Sequence, residues 1–363
     1  MFTFYYRSVI TSWKIYGLGK VFFAHLIGEF FLRSIAFTCL ALDNIFFPDF
    51  QKKKVVRPIF IIGHPRSGTT FLHHLLTSGK NTVAFKAWHL LFPALCARVL
   101  LKPLVNSLVK KGKSEIMPDW TGHQMALEKT DEEEMLFLHT YDTQFIPIGI
   151  LGFDDREYPE LRYNDQQPYE YRMKSMRFLD GCFKRQIHYT SKQQIIAQTH
   201  FSTHRLKTML EFYPDAKFIY ILRSPYHVVP SYLSLLHNSI KFRWGIEPVP
   251  EEILQRYYQR RYQAIIDLYR YFDTLQKNNK LPSDRVMVLP YDLLISDLTG
   301  AVQKIVDFTG IEFDDHLRQQ VTQRAGSQKK YQRKHQVMDL KEFGLTEEMI
   351  TRDFDFILKK SES

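Results

Sequence analysis

Between Ile59 and Leu76 the chain reads IFIIGHPRSGTTFLHHLL. An apolar, β-branched run from Pro58 to Ile62 predicts a buried strand, and apolar residues at helical spacing take over from Ser67 to Leu76. Gly63 and Gly68 fall in the turn between them, at P-loop spacing. A glycine-rich turn that opens a helix presents unused backbone N–H groups and the positive end of the helix dipole, so it welcomes an anion. A nucleoside-triphosphate loop would continue with Lys and then Ser or Thr. Here Thr69 and Thr70 follow Gly68, and the cation inside the loop is Arg66. Arginine contributes a permanent charge and a planar fork of donors, while Ser67, Thr69 and Thr70 contribute hydroxyls.

The same strand–turn–helix rhythm recurs downstream. Gln194–Ala197 and Lys217–Leu222 (KFIYIL) predict strands, as does Arg285–Leu289. Leu206–Phe212, Tyr226–Leu236 and the long Glu251–Thr274 predict helices, and another helix should run from the last strand through Phe308. Strands alternating with helices argue for an α/β, P-loop-type three-layer domain with a central parallel sheet flanked by helices. That domain is assigned to residues 55–363, with the irregular stretch 113–168 as an insertion or lid on the acceptor side. Trp120 and the Tyr and Phe residues from Tyr141 to Phe153 are equally suited to core and to a pocket wall.

Residues 1–54 form a helical N-terminal arm ending in the basic hinge Lys52, Lys53 and Lys54. From Val21 to Phe47 the arm is apolar and aromatic, but His25, Glu29, Arg33 and Asp43 interrupt it. The first three are spaced to share one helical face, where they can pair. The segment reads as an amphipathic helix, either packed on the domain or lying on a membrane surface, rather than a membrane-spanning one. The formal charge of +10 favours anionic partners of any kind. Cys39, Cys96 and Cys182 have no metal-ligand spacing, and adjacent His73 and His74 point to different sides of a helix. A reducing, cytoplasmic setting is expected, with or without contact to a membrane surface.

A second anion signal lies in FIYILRSPYHVVPSYLSLL. Arg223 follows a strand, at the sheet edge where open α/β folds bind ligands, and Ser231 comes two helical turns later. Together, Pro65-Arg66-Ser67-Gly68-Thr69-Thr70 and Arg223 with Ser231 resemble the nucleotide-binding sequences of sulfotransferases that use 3′-phosphoadenosine 5′-phosphosulfate. The broad microbial branch is nearest: RPIFIIGH at Arg57–His64, FYPDAKFIYILRSP at Phe212–Pro225 and YQRKHQVMDLKEFGLTEE at Tyr331–Glu348 are all similar to it, over residues 55 to 358. The resemblance implies that Arg66, Ser67, Gly68, Thr69 and Thr70 hold the phosphosulfate and that Arg223 and Ser231 hold the 3′-phosphate. It brings Arg333, Lys334 and His335 towards the 3′-phosphate or adenine. It implies a loose in-line transfer to an acceptor hydroxyl, with Arg66 stabilising the moving group and no metal required.

The acceptor must lose a proton, so a base is expected. His200, in Gln198-Thr199-His200-Phe201, stands where cytosolic sulfotransferases carry K-T-H with a catalytic histidine, but Gln198 replaces the lysine. The microbial branch has an acidic stretch matching LEKTDEEEMLF, which proposes Glu132 or Glu134 instead. Thr130 with Glu133 also has the spacing of a helix capping box. Two rival readings remain. One is a P-loop nucleotide kinase or NTPase with Asp292 on Mg²⁺, disfavoured by the missing loop lysine. The other is a non-enzymatic protein that binds a membrane surface or nucleic acid through a degenerate loop. Mixed Tyr257, Tyr258, Arg260 and Arg261 fit one core face and one solvated face of a helix better than a nucleic-acid stripe, so no nucleic-acid partner is expected. The acceptor's identity is left open; the apolar arm and aromatic content lean towards a lipid-like or aromatic one.

Overall fold

Strand β1 (Ile59–Ile62) is buried along its whole length, which suits an apolar run with no polar face. The computed structural model, which describes residues 2–328 and 336–361, places β1 at the centre of a five-stranded parallel sheet. The other main strands are β2 (Thr82–Val83), β5 (Gln194–Gln198), β6 (Lys217–Leu222) and β7 (Val286–Pro290), in the order β2-β5-β1-β6-β7. Register is continuous: Ile59 lies opposite both Ile196 and Lys217. A small antiparallel hairpin, β3 (Glu115–Met117) with β4 (Met125–Ala126), stands apart.

Alternation along β1 sends successive side chains to opposite faces. Phe60 and Ile62 pack with Leu179 and Phe183 of one layer of helices, and with Met209 and Phe272. Ile59 and Ile61 pack with Leu72 and Leu75, Val302 and Leu317 on the other side. The chain is thus a three-layer α/β domain. The helices used below are α1 (Phe2–Tyr16), α2 (Lys20–Phe46, with a π-turn at Ala24–Gly28), α3 (Thr69–Leu76), α4 (Leu95–Lys110), α5 (Tyr169–Thr190), α6 (Leu206–Phe212), α7 (Pro225–Arg243), α8 (Glu251–Lys277), α9 (Tyr291–Ser296) and α10 (Leu298–Thr309).

Several boundaries differ from the sequence expectation. The loop occupies residues up to Gly68, so α3 starts at Thr69 rather than Ser67. Helix α7 runs on to Arg243, since Pro225 supplies a helix-ready first residue and Pro230 is absorbed without ending it. The expected helix after β7 is two helices, because Asp297 leaves helical geometry and its carboxylate caps α10 through Gly300 N–H.

The arm is tied to the domain by its charges. The carboxylate of Asp43, buried on α2, accepts from the N–H groups of Leu95 (2.9 Å) and Cys96 (2.8 Å), capping α4, and from Arg185 Nε of α5 at 2.7 Å. Glu29 pairs with Arg33 at 2.8 Å, as the shared-face spacing predicted.

Candidate active site

The loop between β1 and α3 is shaped by two glycines that cannot be replaced locally. Gly63 has φ +119, and a Cβ there would meet the Ile221 carbonyl oxygen at 2.6 Å. Gly68 has φ +85, and a Cβ there would meet the Tyr291 ring at 2.9 Å. Gly68 is the N-cap residue of α3, and no side chain caps that helix. Its first turn therefore keeps the N–H groups an anion would use.

Arg66 adopts a left-handed φ of 74, which turns its side chain across the loop. Its Nε donates to Ser231 Oγ at 3.0 Å and its Nη1 to the Gly122 carbonyl at 2.8 Å. Arg223 donates to the Arg66 carbonyl, and its guanidinium lies 4.0 Å over the Tyr291 ring. The two expected anion motifs are therefore one constellation. Within it, Ser231 accepts from Arg66. Ser67 is buried beneath the loop and its N–H serves the His64 carbonyl at 3.2 Å, so it shapes the turn from below. Arg333, Lys334 and His335 lie outside the described residues.

A cleft opens beside the loop. Arg66, Thr70, Glu132 and His200 line its polar end, and Met117, Met125, Phe145, Phe201, Tyr232 and Trp244 are among its apolar walls. His200 and Glu132 touch, Nε2 on the carboxylate oxygen Oε2. On the other side of the ring, Nδ1 lies 3.5 Å from Thr69 Oγ1 and 3.4 Å from the Gln198 amide nitrogen. That amide nitrogen also stands 3.1 Å from Thr70 Oγ1 and 3.4 Å from Glu132 Oε2. The residue that replaces the expected lysine thus ties the loop hydroxyls to the Glu132–His200 pair.

The three successive glutamates divide their tasks. Glu133 is fully buried and accepts from the backbone N–H groups of Gln198 (2.7 Å) and Phe85 (3.1 Å). This replaces the expected capping box with Thr130, because Glu132 occupies the N-cap position and Glu133 turns inward. Glu134 is also buried, held by Ser202 Oγ at 2.7 Å and Thr143 Oγ1 at 2.9 Å. Burial pushes its pKa up, against the opposing charge of Arg205. It does not line the cleft, so of the two acidic candidates only Glu132 reaches it.

Sequence reasoning missed a second pair at the cleft. His123 lines it, with Nε2 3.3 Å from the Asp131 carboxylate. Burial alone would lower the His123 pKa, but the charge and hydrogen bond of Asp131 turn the net shift upward. Asp131 lies in the acidic stretch LEKTDEEEMLF, but His123 belongs to no quoted motif, and the two meet because the turn after β4 folds back. His64 stacks on Tyr269 below the loop, and burial lowers its pKa to about 3, so it stays neutral. His73 and His74 bond to separate carbonyls, those of Ile196 and Thr130. Asp292, the rival reading's Mg²⁺ ligand, is exposed on α9 and does not line the cleft.

A sulfotransferase family model matches residues 58–315. The chain is 27% identical over 267 residues to omega-hydroxy-beta-dihydromenaquinone-9 sulfotransferase Stf3 of Mycobacterium tuberculosis and to its Mycobacterium bovis counterpart. That match covers 72% of this chain but 64% of the relative's length. Among solved structures, sulfotransferase STF1 of Mycobacterium tuberculosis aligns over 97% of this chain and 92% of its own, with TM-score 0.69 and 17% identity. STF9 of Mycobacterium avium aligns over 88% and 81%, with TM-score 0.68 and 15% identity, which establishes a shared fold.

Proposed function

The chain belongs to the sulfotransferase family, and from that premise we propose that it moves a sulfuryl group from 3′-phosphoadenosine 5′-phosphosulfate to a hydroxyl on an apolar, lipid-like acceptor. One observation carries the reading. Arg66, the uncapped start of α3 and the Glu132–His200 pair converge at the polar end of a cleft whose other walls are apolar.

The loop suits the doubly anionic phosphosulfate end of the donor. Gly63 and Gly68 hold the tight turn against Ile221 and Tyr291, and the uncapped N–H groups at the start of α3 would meet the phosphosulfate oxygens. Arg223, packed on Tyr291 beside Arg66, would take the 3′-phosphate together with Ser231. When bound, the donor supplies an activated sulfuryl group with a phosphate leaving group. Arg66 would counter the charge that builds between them. The Glu132–His200 pair would take the proton of the attacking hydroxyl. Gln198 and Thr69 hold the imidazole from its far side and so fix which ring nitrogen faces the carboxylate.

Acceptor class follows from the cleft walls. The name of the mycobacterial relative specifies an omega-hydroxylated dihydromenaquinone, a hydroxyl borne on a long apolar molecule. The Met, Phe and Trp lining here suits an acceptor of the same kind. The three cysteines are free, as fits a cytoplasmic setting. The test is incubation with radiolabelled donor and a hydroxylated polyprenyl quinone. Label in the lipid phase supports the reading. Donor turnover with label only in water-soluble acceptors would overturn the acceptor class, and absence of transfer to every pool of a fractionated lysate would overturn the reaction.

A further inference from the structure

The N-terminal arm is amphipathic in the reverse sense for a helix facing water. Within α2 the charged side chains of Glu29, Arg33 and Asp43 point into the protein. Glu29 binds Arg33 and accepts from Tyr141 OH at 2.8 Å. Arg33 donates to the carbonyls of Leu138 and His139, and Asp43 is buried against α4 and Arg185. Three of the four residues that interrupt the apolar run in sequence, Glu29, Arg33 and Asp43, thus find partners inside the protein.

The outward face is apolar. Phe31 is 58% exposed and Ile45 70%. Helix α4 packs beside α2 through Leu40, Ala94 and Ala97, and it continues the face with Leu100 (74% exposed) and Leu104. On α1, Phe2 and Trp13 are exposed in the same way. A protein surrounded by water rarely carries a contiguous apolar surface of this extent. Exposed lysines stand at the ends of these helices: Lys14 and Lys20 at the α1–α2 turn and Lys110 on α4.

We propose that the combined face of α1, α2 and α4 seats the protein in one leaflet of an anionic lipid bilayer. The apolar side chains enter the acyl boundary and these lysines meet acidic headgroups. Helix α2 is long and apolar enough to cross a membrane. Docking, not crossing, follows from its ties: crossing would strip Asp43 from Arg185 and pull Arg33 off its carbonyl partners. Helix α2 runs beside the cleft: the Trp244 ring in the cleft wall lies 5.9 Å from His25 of α2. Docking would place the cleft beside the lipid phase, so that a lipid acceptor enters without passing through water. That last consequence rests on the proposed function; the docking itself does not.

The experiment is flotation of the full chain with phosphatidylcholine vesicles, with and without phosphatidylglycerol. The wild type should float with the anionic vesicles and release with salt. The double variant Phe31→Glu, Leu104→Glu should lose about tenfold or more of its vesicle-bound fraction. Both substituted side chains are exposed, so thermal melting should be unchanged. A wild type that floats with neither vesicle, or a variant that floats as well as wild type, overturns the proposal. So does a wild type that fails to float and self-associates through these residues, which would assign the face to a second copy. Binding of adenosine 3′,5′-bisphosphate, measured on the same samples, reports separately on the sulfotransferase reading.

Discussion

Arg66 Nε donates to Ser231 Oγ at 3.0 Å across 165 residues of sequence. The hydrogen bond joins the loop after β1 to helix α7, and Arg223 closes the group by donating to the Arg66 carbonyl. The two motifs thus form a single constellation, and the anion-binding roles proposed for its members can be separated by their expected effects.

Arg66→Lys keeps a charge but loses the planar fork that reaches Ser231 and Gly122. Turnover should fall about 10²–10³-fold, with a smaller change in bisphosphate affinity. Steady-state kinetics alongside calorimetry of bisphosphate binding checks this. Equal losses in both would place Arg66 in ground-state binding only.

Arg223→Ala should weaken bisphosphate binding by about 10–100-fold, the scale of a lost hydrogen bond to a charged group. Ser231→Ala should cost less, because Arg223 remains to counter the charge of the 3′-phosphate. Titration of each variant with the bisphosphate and with adenosine 5′-phosphate checks the assignment: selectivity for the 3′-phosphate should vanish with Arg223.

Glu132→Gln and His200→Ala should each lower kcat about 10²–10⁴-fold. If they act as one unit, the double variant should be no slower than the worse single one. Fully additive losses would separate them into independent roles. Glu134→Gln should act on melting temperature, since Glu134 holds Ser202 and Thr143 in the interior.

His123 gives a pH signature. Its pKa is raised in the folded protein, so the folded state holds this proton more tightly than the unfolded state. The stabilisation is fully present below the ordinary histidine value and is lost as pH rises through the folded value. The melting-temperature penalty of His123→Gln should therefore be largest in mild acid and shrink as pH rises above about 6.5. A penalty independent of pH would contradict the pairing with Asp131.

Asp43→Ala should destabilise by about 3–5 kcal/mol, because it leaves Arg185 buried without its carboxylate and uncaps α4. Chemical denaturation checks the magnitude, and faster proteolysis within residues 1–54 would show that the arm is released.

Much of this was legible in the chain itself. Strand Lys217–Leu222 and helix Leu206–Phe212 have the bounds their apolar spacing predicts, because strong periodicity sits between turn residues. The loop was legible because Gly63 and Gly68 answer a backbone demand that no side chain meets. What stayed hidden is which partner a charge finds. Glu132, Glu133 and Glu134 are alike in sequence, yet one faces the cleft and two pin Gln198 and Ser202. Likewise, His25, Glu29 and Arg33 were legible as one helical face but not in which direction it turns, and the partners of Glu29 and Arg33, more than a hundred residues away, lie inside the protein. Local pattern reports periodicity; it does not report which distant carbonyl or amide completes a hydrogen bond.

The central claim is that the loop and Arg223 together recognise a 3′-phosphorylated adenine nucleotide. Calorimetric titration with adenosine 3′,5′-bisphosphate, and separately with ATP and Mg²⁺, tests it most directly. The account predicts binding of the bisphosphate without metal, abolished or strongly weakened in Arg223→Ala. Tight binding of ATP with Mg²⁺ and none of the bisphosphate would contradict it.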